Sequence, residues 1–276
     1  MAPCVLCQRE NFQKLFCVAG QTLKKCKDCG LVKTEKEQAT SYQNYHRDKD
    51  YEKLEKHFEN IFLKRVSIIE KFFPRPGRAL EVGCSTGILL DLLKKKGWEV
   101  YGAEPSGAAK IAKKRGIEVR QQTFEKADIP RNFFDLIIFN HTLEHMEDPL
   151  LVLKKAYGLL KKNGRVFIDV PNFNSLSAVI LGKNWPYILP DEHIFHFTHQ
   201  TLSKLLEKSG FRVVFYQTHS GVFDFGNVFK GLWFEARHLT RNFVFDLITM
   251  PGALFTTLIG KGTTLTVVAE RLSYAN

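Results

Sequence analysis

Acidic side chains are in short supply in this chain of 276 residues, where 29 Asp and Glu face 40 Lys and Arg and leave a formal net charge of +11. Such a surplus admits acidic partners, namely RNA, phosphate-bearing substrates or an anionic membrane surface, although cations scattered over a solvated surface give the same sum. Long apolar runs are lacking too. No N-terminal stretch has the apolar centre of a signal peptide and none reaches the length of a bilayer-spanning helix, so a cytoplasmic protein is expected. Also missing is the middle glycine of a dinucleotide-binding turn. Residues 83–87 read Gly-Cys-Ser-Thr-Gly, with Ser85 at that position, which argues against a nicotinamide-dependent dehydrogenase. What remains is ordinary for a globular chain, 44% hydrophobic and 25% charged, and long enough for one full α/β domain with appendages.

Cysteine is sparse, six residues in all, but four of them are patterned. Cys4-Val5-Leu6-Cys7 and Cys26-Lys27-Asp28-Cys29 form two Cys-x-x-Cys pairs separated by eighteen residues. That spacing suits one tetrahedral Zn²⁺ held by two thiolate knuckles, with a hairpin through residues 16–23 between them. Gly30 supplies the tight turn after the second pair, and the whole resembles a zinc ribbon. Four thiolates leave no open coordination position, so the metal is expected to fold a module too small to fold alone. Cys17 falls outside the set and reads as a core residue, while Cys84 belongs to the glycine turn.

Punctuation and periodicity divide the chain into a zinc-ribbon-like module at 1–34, a linker and helical lid at 35–76, an α/β core at 77–219, an aromatic and basic insertion at 220–262 and a terminal strand at 263–276. Apolar residues from Leu54 to Phe73 recur at helical spacing, and Pro74-Arg75-Pro76-Gly77 ends that helix. Strands and helices then alternate, which implies a parallel sheet with helices on both faces and the first strand beside the fourth. The element around which the core is arranged is Ala79 to Leu90. Leu80 and Val82 suit a buried strand, Gly83 and Gly87 permit a sharp bend, and Ile88, Leu89, Leu92 and Leu93 share one helical face. Glu81 at the strand end and the amides of the bend would meet the polar groups of a ligand. Glu104 ends the next strand roughly 20 residues on, where an acid can take both hydroxyls of a ribose.

A third block, Phe133 to Pro149, reads as a buried strand followed by Asn140-His141-Thr142-Leu143-Glu144-His145. In this order the motifs resemble the class I S-adenosylmethionine-dependent methyltransferases, in particular the subgroup with a Leu-Glu-His loop after strand four, which includes ubiquinone-pathway O-methyltransferases and many sugar and small-molecule enzymes. The resemblance implies a Rossmann-like seven-stranded sheet with helices on both faces. It also implies a cofactor, S-adenosylmethionine, contacted by Glu81, Gly83, Ser85, Gly87, Glu104 and Asn140, and an N-terminal helix that closes over its methionine part through Tyr45 and Arg65. In ubiquinone-pathway relatives, two glutamates and a histidine are proposed to hold a divalent metal at positions matching His141, Glu144 and His145. A His-x-x-His-Phe-Thr stretch at His193 to Thr198 matches the acceptor side of the pocket, where His193 or His196 could be the general base that takes a hydroxyl proton; His141, His145 and His193 are the candidates for catalysis or acceptor binding. His-x-x-Glu-His is also an inverted zinc-protease motif, but that needs all three residues on one helix, and here they precede an Asp-Pro helix start.

The resulting expectation is an O-methyltransferase acting on a small-molecule, sugar or lipid-linked acceptor. The runner-up is an RNA methyltransferase aided by the zinc ribbon, which the charge supports and the lack of an Asn-Pro-Pro-Tyr sequence at Asn140 opposes. A third reading is a non-catalytic binding protein. The insertion, with Phe, Trp, Lys and Arg interleaved, is expected to pack in the core or at a dimer surface, with peripheral contact to a bilayer as the alternative.

Overall fold

The computed structural model describes residues 3–35, 55–228 and 241–272. Within them, strands β1 (Phe12–Val18), β2 (Gln21–Cys26) and β3 (Val32–Glu35) form an antiparallel meander at the N-terminus. The expected hairpin is present, and Ala19 and Gly20, both at positive φ, make its two-residue turn. Helix α1 (Glu55–Phe72) leads into β4 (Arg78–Val82), α2 (Ile88–Lys95), β5 (Glu99–Ala103), α3 (Ala109–Lys114), β6 (Glu118–Arg120) and β7 (Phe134–Asn140). After a 3-10 turn at Leu143–His145 follow α4 (Pro149–Leu159), β8 (Leu160–Pro171), α5 (Leu176–Leu181), β9 (Phe195–His196), α6 (His199–Lys208), β10 (Phe211–His219), α7 (Arg241–Leu258) and β11 (Thr264–Arg271).

Seven strands make one mixed sheet in the order β10-β11-β8-β7-β4-β5-β6, with β4 parallel to both β5 and β7. The first core strand therefore lies beside the fourth, as the alternation requires, and β11 enters antiparallel between β10 and β8. Successive strand residues point to opposite faces, so each strand feeds two cores. Leu80, Val82, Ile137, Phe139, Val166 and Ile168 pack with Leu153, Ala156, Leu202 and Leu205 of α4 and α6. On the other face Ala79, Leu136, Ile138 and Phe167 pack with Val66 and Ile69 of α1, Leu89 and Leu93 of α2 and Ala109 of α3. Each such buried aliphatic contributes about 1.5–3 kcal/mol. Local signals set the helix starts: Asp148 accepts from the Leu151 amide with Pro149 in the first turn, and Thr198 caps α6 through Thr201.

The cysteine-bearing segment is part of this body. Cys4, Leu6, Cys26 and Leu31 belong to the core beneath α4 and α6, and the short β9, from the connection between β8 and α6, adds as the fourth strand to β1-β2-β3. Cys17, expected in the core, is exposed instead, since it sits on the solvent face of a strand whose other face is covered. Tyr45 lies outside the described residues. Arg65, expected over the cofactor, is fully buried against Asp169 and Asp224, so it fastens α1 to the sheet.

Candidate active site

The sheet register brings Asp169, Asn140, Gly83 and Glu104 side by side along the carboxyl edge of β8, β7, β4 and β5. Asn140 pairs with Asp169, Val82 pairs with Phe139 and Ala103, and the Gly83 amide donates to the Ala103 carbonyl at 2.8 Å. This row is the crevice expected of an open sheet at a point where strand order reverses. The bend above it needs unusual backbone: φ is 70°, 44° and 79° at Gly83, Ser85 and Gly87. A Cβ at Gly83 would lie 2.8 Å from Thr142 Cγ2, and one at Gly87 would lie 2.6 Å from Ile117 Cδ1. Glycine is therefore required twice, once for the loop that follows β7 and once for the packing of α2.

Glu104 accepts hydrogen bonds from the Ser85 amide at 2.9 Å and the Ser106 amide at 2.7 Å. It thus ties the bend to the end of β5 as well as standing in the crevice. Glu81 is buried two residues back on β4, and burial together with the nearby Glu104 pushes its carboxyl well above the usual carboxylate range. Two acceptor atoms at this edge, Glu81 Oε2 and Asn140 Oδ1, are buried without a hydrogen-bond partner. A bound molecule carrying an ammonium and sugar hydroxyls has the donors that these atoms lack, and S-adenosylmethionine carries both.

Beside the crevice the histidines divide into two groups. His141, at φ 50°, places Nδ1 3.4 Å from Glu144 Oε1 and Nε2 3.8 Å from Asp169 Oδ2. Burial works against its protonation, but the two carboxylates outweigh it and raise its pKa above the ordinary value. Glu144 is buried, and although burial alone would raise its carboxyl, His141 and the neighbouring imidazoles hold it down to about 2. His145 Nδ1 donates to the Glu192 carbonyl at 3.1 Å and His193 Nδ1 to the Tyr187 carbonyl at 3.0 Å, their rings meeting edge to face at 4.8 Å. Burial depresses both, His193 to about 3. One ligand atom each from Glu144, His145 and His193 lie within 4.8 Å of one another, a nitrogen and oxygen donor set that could hold a divalent ion. No α-helix carries the His-x-x-Glu-His residues, which run from the bend just after β7 through the 3-10 turn.

The four patterned cysteines converge. Their sulfurs all lie within 4.8 Å of one another, with Cys4 to Cys29 and Cys7 to Cys26 at 3.5 Å, close to the about 3.8 Å edge of a tetrahedron with Zn–S bonds of about 2.3 Å. Chemistry and geometry both fit Zn²⁺. This cluster lies apart from the crevice and is joined to it by the β3–β9 pairing, so His193 and the cysteines are brought into one structural unit without sharing a site.

Asp169 is the site residue that sequence reasoning missed. It accepts from Arg65 Nε at 2.9 Å and from the Thr266 hydroxyl, and it faces His141. One acid inside the apolar strand Val166-Phe167-Ile168-Asp169-Val170 was the available signal. A separate groove of about 610 Å³ along α6 and β10, lined by His199, Ser203 and Tyr216, shares no residue with the crevice.

The parallel core, the glycine bend and the acidic strand tips together define a class I S-adenosylmethionine-dependent methyltransferase. Residues 54–215, more than half of the chain, match the family model described as a methyltransferase domain, and the chain belongs to that family. It is 32% identical over 117 residues to the ubiquinone biosynthesis O-methyltransferase of Bradyrhizobium diazoefficiens, covering 39% of this chain and 46% of that protein. The chain thus spans about half the length of the curated ubiquinone-biosynthesis relatives that it matches. A methyltransferase of Bacillus cytotoxicus is 27% identical over 194 residues, covering 65% of this chain and 88% of its own. Among solved structures, a S-adenosylmethionine-dependent methyltransferase of Thermotoga maritima superposes with a TM-score of 0.58 at 20% identity, covering 83% of this chain and 98% of its own. Phosphoethanolamine N-methyltransferase 2 of Haemonchus contortus does so with 0.59 at 14% identity, covering 88% and 62%.

Proposed function

We propose that the protein methylates an oxygen of a small-molecule, sugar or lipid-linked acceptor, and that Glu81, Gly83, Ser85, Gly87, Glu104 and Asn140 hold the cofactor. The observation that carries the cofactor assignment is the pair of buried, unpartnered acceptors, Glu81 Oε2 and Asn140 Oδ1, beside the glycine bend. Each such orphan costs on the order of 1–3 kcal/mol, which a ligand with matching donors relieves. When bound, S-adenosylmethionine supplies an electrophilic methyl group on a sulfonium.

The chain's own residues align the acceptor and manage its proton. His141 is the best placed base. Nδ1 lies 3.4 Å from Glu144, which stabilises the imidazolium formed when Nε2, 3.8 Å from Asp169 and so beyond hydrogen-bonding reach of it, takes the acceptor's proton. His193, held neutral, is suited to orienting the acceptor or, with Glu144 and His145, to holding a metal. The four cysteines hold a structural Zn²⁺.

Calorimetry with S-adenosylhomocysteine tests the cofactor site: Glu81→Gln and Asn140→Ala should each weaken binding, and undiminished affinity in both would overturn the assignment. For the acceptor, a labelled methyl donor is incubated with fractionated cell extract. Label in a small-molecule or lipid fraction supports the proposal, whereas label confined to RNA would replace it with the RNA reading. His141→Gln should lower turnover by about 10²-fold and leave cofactor affinity intact.

A further inference from the structure

Helix α7 is amphipathic the wrong way round for a helix that serves only its own core. Ala253 is buried against Gly221, and Thr256 donates to Ser220, so that side faces the sheet. The opposite side carries Ile248, Phe255 and Leu258 at spacings of seven and three residues, one stripe along a helix, and Ile259 follows in the turn just after it. Ile248 is 73% exposed, Phe255 56% and Leu258 75%. Helix α5 continues this surface. Its first amide, Leu176, donates to the Lys261 carbonyl at 3.0 Å just beyond α7, and Val179 and Ile180 are 65% and 71% exposed.

Charge tells what covers this surface. Residues 176–190 and 241–263, the second including all of α7, carry three cations, Lys183, Arg241 and Lys261, against one acid, Asp246, in a chain that carries +11 overall. An apolar ridge of Ile, Leu, Val and Phe edged by lysine matches the boundary between acyl chains and anionic headgroups, whereas a partner protein would find little here to hydrogen-bond. Among the described residues no helix is long and apolar enough to cross a membrane, so the contact is one of lying on the surface.

We propose that α5 and α7 form a docking face for an anionic lipid bilayer. The connection that begins with α5 also carries His193 to the crevice, so the face adjoins the acceptor side of the site. The docking stands on its own geometry, while its use in presenting a lipid-linked acceptor rests on the function proposed above.

The test is flotation of the full chain with vesicles of phosphatidylcholine alone and of phosphatidylcholine with phosphatidylglycerol, at low and high salt. The chain should float with the phosphatidylglycerol vesicles and less so as salt rises. Ile180→Glu with Leu258→Glu should cut the bound fraction about tenfold or more. Lys183→Glu with Lys261→Glu should abolish the preference for anionic lipid. Calorimetry with S-adenosylhomocysteine on the same proteins reports folding and the cofactor site separately. No flotation of the parent chain, flotation undiminished in the Glu variants, or a dimer that those variants split would each overturn the proposal, the last by assigning the face to a second copy.

Discussion

Thr34 Oγ1 and His196 Nε2 share a buried hydrogen bond of 2.9 Å across 162 positions of sequence, joining the last strand of the cysteine module to β9. The Thr34 amide also donates to the Ile194 carbonyl at 2.8 Å, and that residue's own amide donates to the Glu144 carbonyl at 2.8 Å. A path of two hydrogen bonds, with the Thr34–His196 bond beside it, thus runs from the module to the base of the candidate catalytic loop.

That path makes metal removal a test of more than local folding. The purified protein should carry stoichiometric zinc by elemental analysis, and Cys26→Ser or a strong chelator should remove it and lower the melting temperature. Amide exchange should rise at residues 192–197 as well as at residues 4–31, because β9 loses the edge it pairs with.

Gly83→Val adds a Cβ that meets Thr142 at 2.8 Å and sits at a φ of 70°. Both faults act at the bend itself. Affinity for S-adenosylhomocysteine should fall below detection by calorimetry while far-UV circular dichroism stays close to that of the parent chain, and a variant that binds normally would remove the bend from the cofactor site.

Arg65→Met leaves the fully buried Asp169 and the half-buried Asp224 without their cation, and the loss should be about 3–5 kcal/mol in urea unfolding. Replacing one partner of such a pair costs more than the pair itself contributes. A double variant, Arg65→Met with Asp224→Asn, should recover part of that stability, a coupling that independent sites would not show.

His219 supplies a pH dependence of definite sign. Burial depresses its pKa below the ordinary value, against the pull of Asp224 at 3.3 Å and of Asp169. In the window just below pH 6.5 the unfolded chain therefore binds a proton that the folded chain does not, so stability rises with pH there and is lost as pH falls, by at most about 1.4 kcal/mol per pH unit for one group. Urea unfolding at pH 7.5 and pH 5.5 should show a shallower loss in His219→Gln than in the parent chain.

The sequence displayed the sheet and the bend because both rest on local rules. Alternating apolar runs named the strands, and Gly83 and Gly87 named the turn. It displayed the four cysteines because ligand spacing is itself local. Asp169 and Arg65 were less legible, since what gives them meaning is each other, 104 positions apart, and no pattern along the chain encodes that pairing. Cys17 was misread for a similar reason: which face of a hairpin is covered depends on what docks there. The attachment of β9 to β3 was invisible, because two residues of strand carry no periodicity.

That attachment bears on synthesis. The small N-terminal sheet lacks its fourth strand until residue 196 has been made, so during translation the cysteine knuckles emerge long before their sheet can be finished. A ribosome-bound nascent chain thus presents all four cysteines well before it contains the strand that seals the module to the rest of the enzyme.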